Sequence, residues 1–290
     1  MELIIKVIRL SSNWFIIEFD LMKKLDNKIA LLTGASSGIG AVIAKALSSE
    51  GVEILGVARS ETGLNNTKTD IEAAGGKFHS ISFDVSDTSN LSQLKSEVEN
   101  LVGKIDILVN NAGIEEYNCF QNYTLEYIQK ITSVNLIAPM EITRQYLPEL
   151  IQNGGHIVNI CSLAAKKGES FNATYSSTKG GLALFTDALR QELHGTKVGV
   201  SALFPGLVSD VGMFSDSQVK APLILGTIPS KKVAKSLLKA IKKNKPEVIV
   251  NSGPLRPLLA INALFPNFGN WFARVTGITA FCRNRANLGE

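Results

Sequence analysis

The chain has 290 residues, 45% of them hydrophobic and 19% charged, which is typical of a globular protein that buries a sizeable core. Its net charge of +4 gives no reason to expect a nucleic-acid-binding surface. The lysines between Lys231 and Lys245 alternate with apolar residues, a pattern that predicts the solvent-exposed face of an amphipathic helix. Three cysteines without metal-type spacing favour reduced thiols, no metal site and a cytoplasmic location.

Short β-branched runs alternate along the chain with segments whose apolar residues recur three and four positions apart. This alternation predicts βαβ units and, with right-handed crossovers, a doubly wound, mostly parallel seven-stranded sheet with helices on both faces, the Rossmann architecture. No low-complexity linker interrupts residues 25–252, so they are predicted to form one domain. The predicted strands are Ile29–Thr33, Val52–Val57, Phe78–Phe83, Ile105–Val109, His156–Cys161, Val198–Phe204 and Val248–Val250.

Two segments flank the predicted domain. Residues 1–24 are apolar but interrupted by charges, so they match neither a spanning helix nor a signal peptide and are predicted to be an appendage, with Met22 as an alternative start. Residues 253–290 are apolar but broken by prolines and predict short helices packed on the domain, over the substrate entrance. Peripheral membrane contact by this tail is the less favoured alternative.

A glycine-rich turn follows the first predicted strand and leads into a helix. Glycines allow a sharp turn and close approach to a pyrophosphate, and the helix N-terminus offers unpaired N–H groups to it. The same stretch fits the Gly-x-Ser-x-Gly nucleophile turn of serine hydrolases, a weaker alternative because no histidine stands at the expected late position. The predicted dinucleotide-binding residues of the turn are Gly34, Ser36, Ser37, Gly38, Ile39 and Gly40.

The end of the second predicted strand, about 20 residues past the glycines, is where such folds read the adenosine ribose. Ala58 stands where an acid would bind a 2′-hydroxyl, while Arg59 and Ser60 offer donors to a 2′-phosphate. We therefore predict NADP(H) as the preferred cofactor, with NAD(H) as the alternative.

Tyr175 and Lys179 are four residues apart in a predicted helix and so share one face. A phenol with an ordinary pKa of about 10 is a poor acid or base at neutral pH, but a nearby ammonium stabilises the phenolate. The pair is a candidate acid/base for interconverting a carbonyl and an alcohol.

These motifs, in this order and spacing, strongly resemble those of the short-chain dehydrogenase/reductase family from about Leu25 to Val250. The resemblance implies an NAD(P)-dependent oxidoreductase in which the cofactor carries the hydride. Besides the glycine turn and Tyr175–Lys179, the matching motifs are Asp84-Val85, Asn110-Asn111-Ala112-Gly113, Ser133-Val134-Asn135, Ser162 and Pro205-Gly206.

The resemblance also implies a role for each residue. Tyr175 would exchange a proton with the substrate oxygen, and Ser162 would hydrogen-bond that oxygen. Lys179 would hold the nicotinamide ribose and lower the pKa of Tyr175, and Asn135 would anchor a proton-relaying water. Each residue also has a purely structural alternative, such as a helix cap or a turn. The remaining implied cofactor contacts are Asp84 and Val85 at the adenine, Asn111, Ala112 and Gly113 along the adenosine side, and Pro205, Gly206 and Val208 at the nicotinamide.

The sequence departs from the family pattern at two places. Asp210 stands where the family usually has a threonine that contacts the nicotinamide amide, which leaves closure of that loop over the cofactor open, with Ser209 as a substitute contact. The usual glycine-rich ending is replaced by the proline-broken tail. This change favours a homodimer, formed by the helices around residues 124–152 and 172–194, over the family's usual tetramer.

The segment from Leu207 to Pro229 is predicted to form an apolar lid, which suits a lipophilic ketone or alcohol. The predicted function is therefore NADP(H)-dependent carbonyl–alcohol interconversion on a lipophilic small molecule. A 3-oxoacyl thioester reductase is the alternative substrate class. A non-catalytic dinucleotide-binding sensor is less favoured, because Asn135, Ser162, Tyr175 and Lys179 are all retained.

Overall fold

The computed structural model describes residues 22–287 and contains one seven-stranded sheet in the order β3-β2-β1-β4-β5-β6-β7. All neighbouring strands are parallel. The predicted doubly wound seven-stranded fold is confirmed, and each strand end lies within two residues of its predicted position. The strands are β1 (Ile29–Thr33), β2 (Glu53–Ala58), β3 (Phe78–Ser82), β4 (Ile107–Asn110), β5 (Gly155–Ile160), β6 (Val198–Pro205) and β7 (Glu247–Val250).

Helices cover both faces of the sheet, because its strands are buried on both sides. A π-helical turn, Ser133–Ile137, joins two of them. The α-helices among residues 22–287 are α1 (Gly38–Ser48), α2 (Glu61–Ala73), α3 (Leu91–Val102), α4 (Leu125–Thr132), α5 (Ala138–Asn153), α6 (Ala173–Glu192), α7 (Met213–Asp216), α8 (Ser230–Lys242), α9 (Arg256–Leu264), α10 (Pro266–Val275) and α11 (Ile278–Arg285).

Two apolar clusters form the core, one on each face of the sheet. On one face α1, α2 and α8 pack through residues such as Ile43, Leu64 and Leu237. On the other face α3, α5 and α6 pack through residues such as Leu94 and Ile142. The apolar face of α8 is buried and its lysines face outward, as the sequence predicted.

The strand order reverses between β1 and β4, and this opens a crevice at their carboxyl ends. Thr33 ends β1, and its hydroxyl oxygen accepts from the N–H groups of Asn111 and Ala112, each at 3.0 Å. The Asn111 side-chain amide donates in turn to the carbonyl oxygens of Thr33 and Gly34, at 3.0 and 3.2 Å. The loops on the two sides of the crevice are therefore tied together.

The C-terminal segment contains three short helices, and α11 docks beside the crevice. Phe281 and Cys282 of α11 are buried against Tyr117 and Phe214. The helices α9 and α10 leave apolar side chains exposed, Trp271 among them. Within residues 22–287, no helix is long and apolar enough to cross a membrane. The prediction of an N-terminal appendage falls mainly on residues 1–21, outside the described residues.

His156 of β5 makes folding stability depend on pH. It is fully buried, with Nε2 at 2.8 Å from the Ser201 hydroxyl, and burial lowers its pKa from 6.5 to about 3. Below about pH 6.5 the imidazole of His156 takes up a proton in the unfolded chain but not in the folded chain. The free energy of unfolding therefore has its full value above that pH and decreases as the pH falls toward 3. We expect His156→Gln to flatten the decline in unfolding free energy between about pH 6.5 and 4, measured by denaturant titration.

His194→Gln is the matched control, because His194 is exposed. That variant should keep the wild-type pH slope. Identical slopes in wild type and His156→Gln would contradict the role given to His156.

Candidate active site

A cavity of about 790 Å³ occupies the crevice at the carboxyl ends of β1 and β4. Every sequence-predicted site residue except Asn135 lines it. The cavity runs from Arg59 and Asp84 at one end, past the glycine turn, to Ser162, Tyr175 and Lys179. The structure thus brings together residues from most of the length of the chain.

The glycine turn has the geometry of a phosphate cradle. Gly34 has a φ of +70°, a backbone conformation that favours glycine. At Gly40 an added Cβ would lie only 1.9 Å from the Gly34 carbonyl oxygen, so this position admits no side chain. The first turn of α1 contains no acidic residue, and the Ser37 side chain makes no capping hydrogen bond. The N-terminal N–H groups of α1 are therefore suited to an anionic ligand.

Arg59 and Ser60 lie at the far end of the cavity. Arg59 is exposed, with Nη1 at 3.8 Å from Oδ2 of Asp84. The Ser60 hydroxyl oxygen accepts from the Gly63 N–H at 3.1 Å and caps α2, which leaves its own hydrogen available for donation. Oδ1 of Asp84 accepts from the N–H and the hydroxyl of Ser86, which stabilises the loop after β3. Asp84 also lines the cavity.

Tyr175 and Lys179 lie on one face of α6 and point into the cavity. The Nζ of Lys179 is 5.8 Å from the centre of the Tyr175 ring and donates to the Ile160 carbonyl oxygen at 2.9 Å. Burial raises the pKa of Tyr175, Glu115 raises it further, and a hydrogen bond with Ser162 lowers it. Burial lowers the pKa of Lys179. The net effect of these surroundings is to raise the pKa of Tyr175, and the expectation that Lys179 lowers it stays a prediction.

Asn135 is fully buried in the π-helical turn and does not line the cavity. Its Oδ1 accepts from the Ile114 N–H at 2.9 Å, and its Nδ2 donates to the Ile114 carbonyl oxygen and the Thr178 hydroxyl, at 2.9 and 3.2 Å. Both amide hydrogens are used, so the side chain joins the loop after β4 to α6. The predicted water-anchoring role stays a prediction.

The loop after β6 lines the cavity through Pro205, Gly206 and Val208. Asp210 does not line the cavity, because both of its carboxylate oxygens accept from Ser230, one from the N–H and one from the hydroxyl, each at 2.8 Å. These bonds fix the loop to the N-terminus of α8. The N–H and the hydroxyl of Ser209 both donate to the Ile228 carbonyl oxygen, at 3.0 and 3.4 Å.

Sequence reasoning missed a polar cluster in the cavity, composed of Glu115, Tyr117, Glu169 and Arg285. Glu115 follows the predicted Asn110–Gly113 motif by two residues, and this closeness to a predicted cofactor-binding motif could have indicated that Glu115 is a site residue. Nothing in the sequence around Arg285 indicates a site residue. Leu207, Met213 and Phe214 of the predicted apolar lid line the cavity. The charged residues of the polar cluster line the same cavity.

The serine-hydrolase alternative fails on geometry. Ser36 lines the cavity, but none of the three histidines does. His79 pairs with Glu53 at 2.7 Å, and His156 bonds Ser201 inside the sheet. The fold, the glycine cradle and the cavity at the switch point instead define a dinucleotide-binding protein.

Comparison with known proteins places the chain in a family. The family model described as short chain dehydrogenase matches residues 28–221. The chain is 46% identical over 271 residues to the ketoacyl reductase HetN of Nostoc sp. (strain PCC 7120), covering 91% of this chain and 94% of that protein. The chain belongs to the short-chain dehydrogenase/reductase family, and it is an NAD(P)-dependent oxidoreductase.

Solved structures agree with this assignment. A variant of the actinorhodin polyketide ketoreductase with NADPH superposes with a TM-score of 0.72 at 30% identity, covering 79% of this chain and 98% of that one. A metagenomic short-chain oxidoreductase in complex with NADP has a TM-score of 0.69 at 29% identity, covering 79% and 99%.

Proposed function

We propose that this protein is an NADPH-dependent ketoreductase that reduces the ketone of a 3-oxoacyl thioester to a secondary alcohol. The observation that carries the proposal is that Ser162, Tyr175 and Lys179 share one cavity with the glycine turn and Arg59. The substrate class is supported by the relatives, because HetN is described as a ketoacyl reductase and the actinorhodin protein as a polyketide ketoreductase. These names favour the 3-oxoacyl alternative over a general lipophilic ketone.

The residues present fit a dinucleotide cofactor. Gly34 and Gly40 leave no room for side chains, and the turn presents the N-terminus of α1, which would hold the pyrophosphate. Arg59 and Ser60 would bind the 2′-phosphate, Asp84 and Val85 the adenine, and Lys179 the nicotinamide ribose. When bound, NADPH supplies the hydride that reduces the carbonyl carbon.

Tyr175 is the proposed proton donor. Burial raises the pKa of its phenol, which keeps it protonated at neutral pH but makes it a weaker acid, so proton transfer would depend on neighbours that favour the phenolate. Ser162 lies beside its hydroxyl and would donate a hydrogen bond to the substrate oxygen as negative charge develops there. Lys179 is held by Ile160 close to Tyr175 and would favour the phenolate left after proton transfer.

The direct test is consumption of NADPH by the purified protein with acetoacetyl thioester as substrate, followed by identification of the 3-hydroxyacyl product. Product formation supports the ketoreductase and excludes the non-catalytic sensor. Turnover of simple ketones but not of the thioester would support the proposed carbonyl reduction and refute the proposed 3-oxoacyl substrate.

Cofactor preference gives a second prediction. Arg59→Asp should raise the KM for NADPH about 10- to 100-fold, because a charge-assisted hydrogen bond is worth about 1.5–3 kcal/mol and a like charge replaces it. The KM for NADH should stay the same or fall, as initial rates with each cofactor will show. Lys68→Asp makes the same charge change on α2 outside the cavity and should alter neither constant. Unchanged preference in Arg59→Asp would refute the assignment.

A homodimer is proposed as the assembly state. The helices around residues 124–152 and 172–194 carry exposed apolar side chains that a second copy would cover, including Leu125, Met140 and Leu184. Light scattering that gives the monomer mass of 31.3 kDa would refute it. The cytoplasmic location stays a prediction from the cysteine content.

A further inference from the structure

The polar cluster brings two carboxylates and one guanidinium into the cavity that holds Tyr175. Glu115 follows β4, Glu169 precedes α6, and Arg285 comes from α11 at the other end of the chain. The side chains of Arg285 and Glu115 are only 7% and 8% exposed, and Nη2 of Arg285 lies 2.9 Å from Oε2 of Glu115. A buried ion pair of this kind adds little net stability, so stability alone does not account for its place in the cavity.

The guanidinium is only partly used within the protein. Nη2 donates to Glu115 and, at 3.2 Å, to the Met213 carbonyl oxygen. Among residues 22–287 no group accepts from its Nε, although that atom is buried. The planar fork of arginine usually engages a carboxylate through two nitrogens. Here Oε1 of Glu115 is taken by the Asn172 side-chain amide at 2.9 Å, so Arg285 keeps donor capacity that its ion pair does not use.

The position of Arg285 does not depend on the ion pair alone. Its guanidinium lies 4.2 Å from the centre of the Tyr117 ring, and Phe281 and Cys282 anchor α11 in the apolar cluster behind it. The second carboxylate is occupied too, because Oε2 of Glu169 accepts from the Tyr117 hydroxyl at 2.5 Å and from the Asn172 amide at 3.2 Å. Burial raises the pKa of Glu169, and Glu115 raises it further.

We infer that Arg285 is a specificity-determining residue that hydrogen-bonds a second carbonyl oxygen of the substrate, the thioester oxygen two carbons from the ketone. This inference rests on the proposed ketoreductase function. Ser162, Tyr175, Arg285 and the lid residues Met213 and Phe214 all line the one cavity. The ketone would lie at Tyr175 and Ser162, the acyl chain would contact the lid, and the second oxygen would meet the guanidinium. A monoketone lacks that oxygen and leaves a buried donor unpaired, which is the kind of mismatch that gives strong discrimination.

The test compares two substrates of equal length, an acetoacetyl thioester and a ketone in which a methylene replaces the thioester carbonyl. We expect Arg285→Met to raise the KM for the thioester about 10- to 100-fold more than the KM for the monoketone, the range of one charge-assisted hydrogen bond. Both substrates share any loss that comes from leaving Glu115 without its ion-pair partner, so the ratio of the two KM changes measures the lost hydrogen bond. Arg285→Lys should recover part of the difference. Arg274→Met, the same substitution on exposed α10, is the control and should behave as wild type.

Two results would overturn the inference: equal losses on both substrates, or no loss on either. Wild-type turnover of both substrates without preference would also overturn it while leaving carbonyl reduction intact. If the wild type reduces neither substrate, the proposed function fails, and binding of the thioester is measured instead by thermal shift with saturating NADP+. Equal affinity of wild type and Arg285→Met in that measurement would overturn the role of Arg285 independently.

Discussion

Replacing Tyr175 by phenylalanine should reduce the turnover number for carbonyl reduction by about 10²- to 10⁴-fold, the usual contribution of a positioned general acid. The Tyr175 ring is buried against Ile131 and Ala164, and phenylalanine keeps that packing. Only the hydroxyl beside Ser162 is lost, so the fold and the NADPH-binding surface should persist. Initial rates together with the NADPH-induced thermal shift separate loss of chemistry from loss of binding.

Tyr127 provides a matched control for this substitution. It packs in the same apolar cluster as Tyr175 but does not line the cavity, and its buried hydroxyl has no hydrogen-bond partner among the described residues. Tyr127→Phe should therefore leave the turnover number unchanged. Substantial activity in Tyr175→Phe, or equal losses in both variants, would show that Tyr175 is not the proton donor.

Replacing Gly40 by alanine should abolish dinucleotide binding. The new Cβ would lie 1.9 Å from the Gly34 carbonyl oxygen and 2.7 Å from Nδ2 of Asn111, so the turn that would hold the pyrophosphate must change its shape. Cofactor at about 100 times its dissociation constant adds roughly 2.7 kcal/mol to the stability of a protein that binds it. We expect the corresponding rise in Tm with NADPH in the wild type and none in Gly40→Ala.

Because the same clash also lowers intrinsic stability, the comparison needs circular dichroism of the unliganded variant and a glycine control. Gly253→Ala is suitable, since an added Cβ there meets nothing within 4 Å. It should keep both the wild-type Tm and the full NADPH shift. A folded Gly40→Ala that retains the wild-type shift would place the dinucleotide elsewhere in the protein.

The sequence alone determined the architecture and the region of the site. Strand and helix periodicities are local properties, so the seven strands could be located from β-branched runs and intervening apolar spacing. The glycine turn and the Tyr175–Lys179 spacing are equally local, because a turn or one helix face needs only a few consecutive residues. Parallel strands bring their carboxyl ends to one edge, so these motifs could be expected around one cavity.

The tertiary structure decided how the polar side chains are used. Asn135 matches the family motif in sequence, and its side chain bonds Ile114 and Thr178. Asp210 departs from the family pattern, and its carboxylate bonds Ser230. The direction of the Tyr175 pKa depends on burial and on Glu115, neither of which the Tyr-x-x-x-Lys spacing contains. Arg285 meets Glu115 across 170 residues. Hydrogen-bond partners, desolvation and ion pairs depend on distances in space, and for groups so far apart in the chain only packing sets those distances.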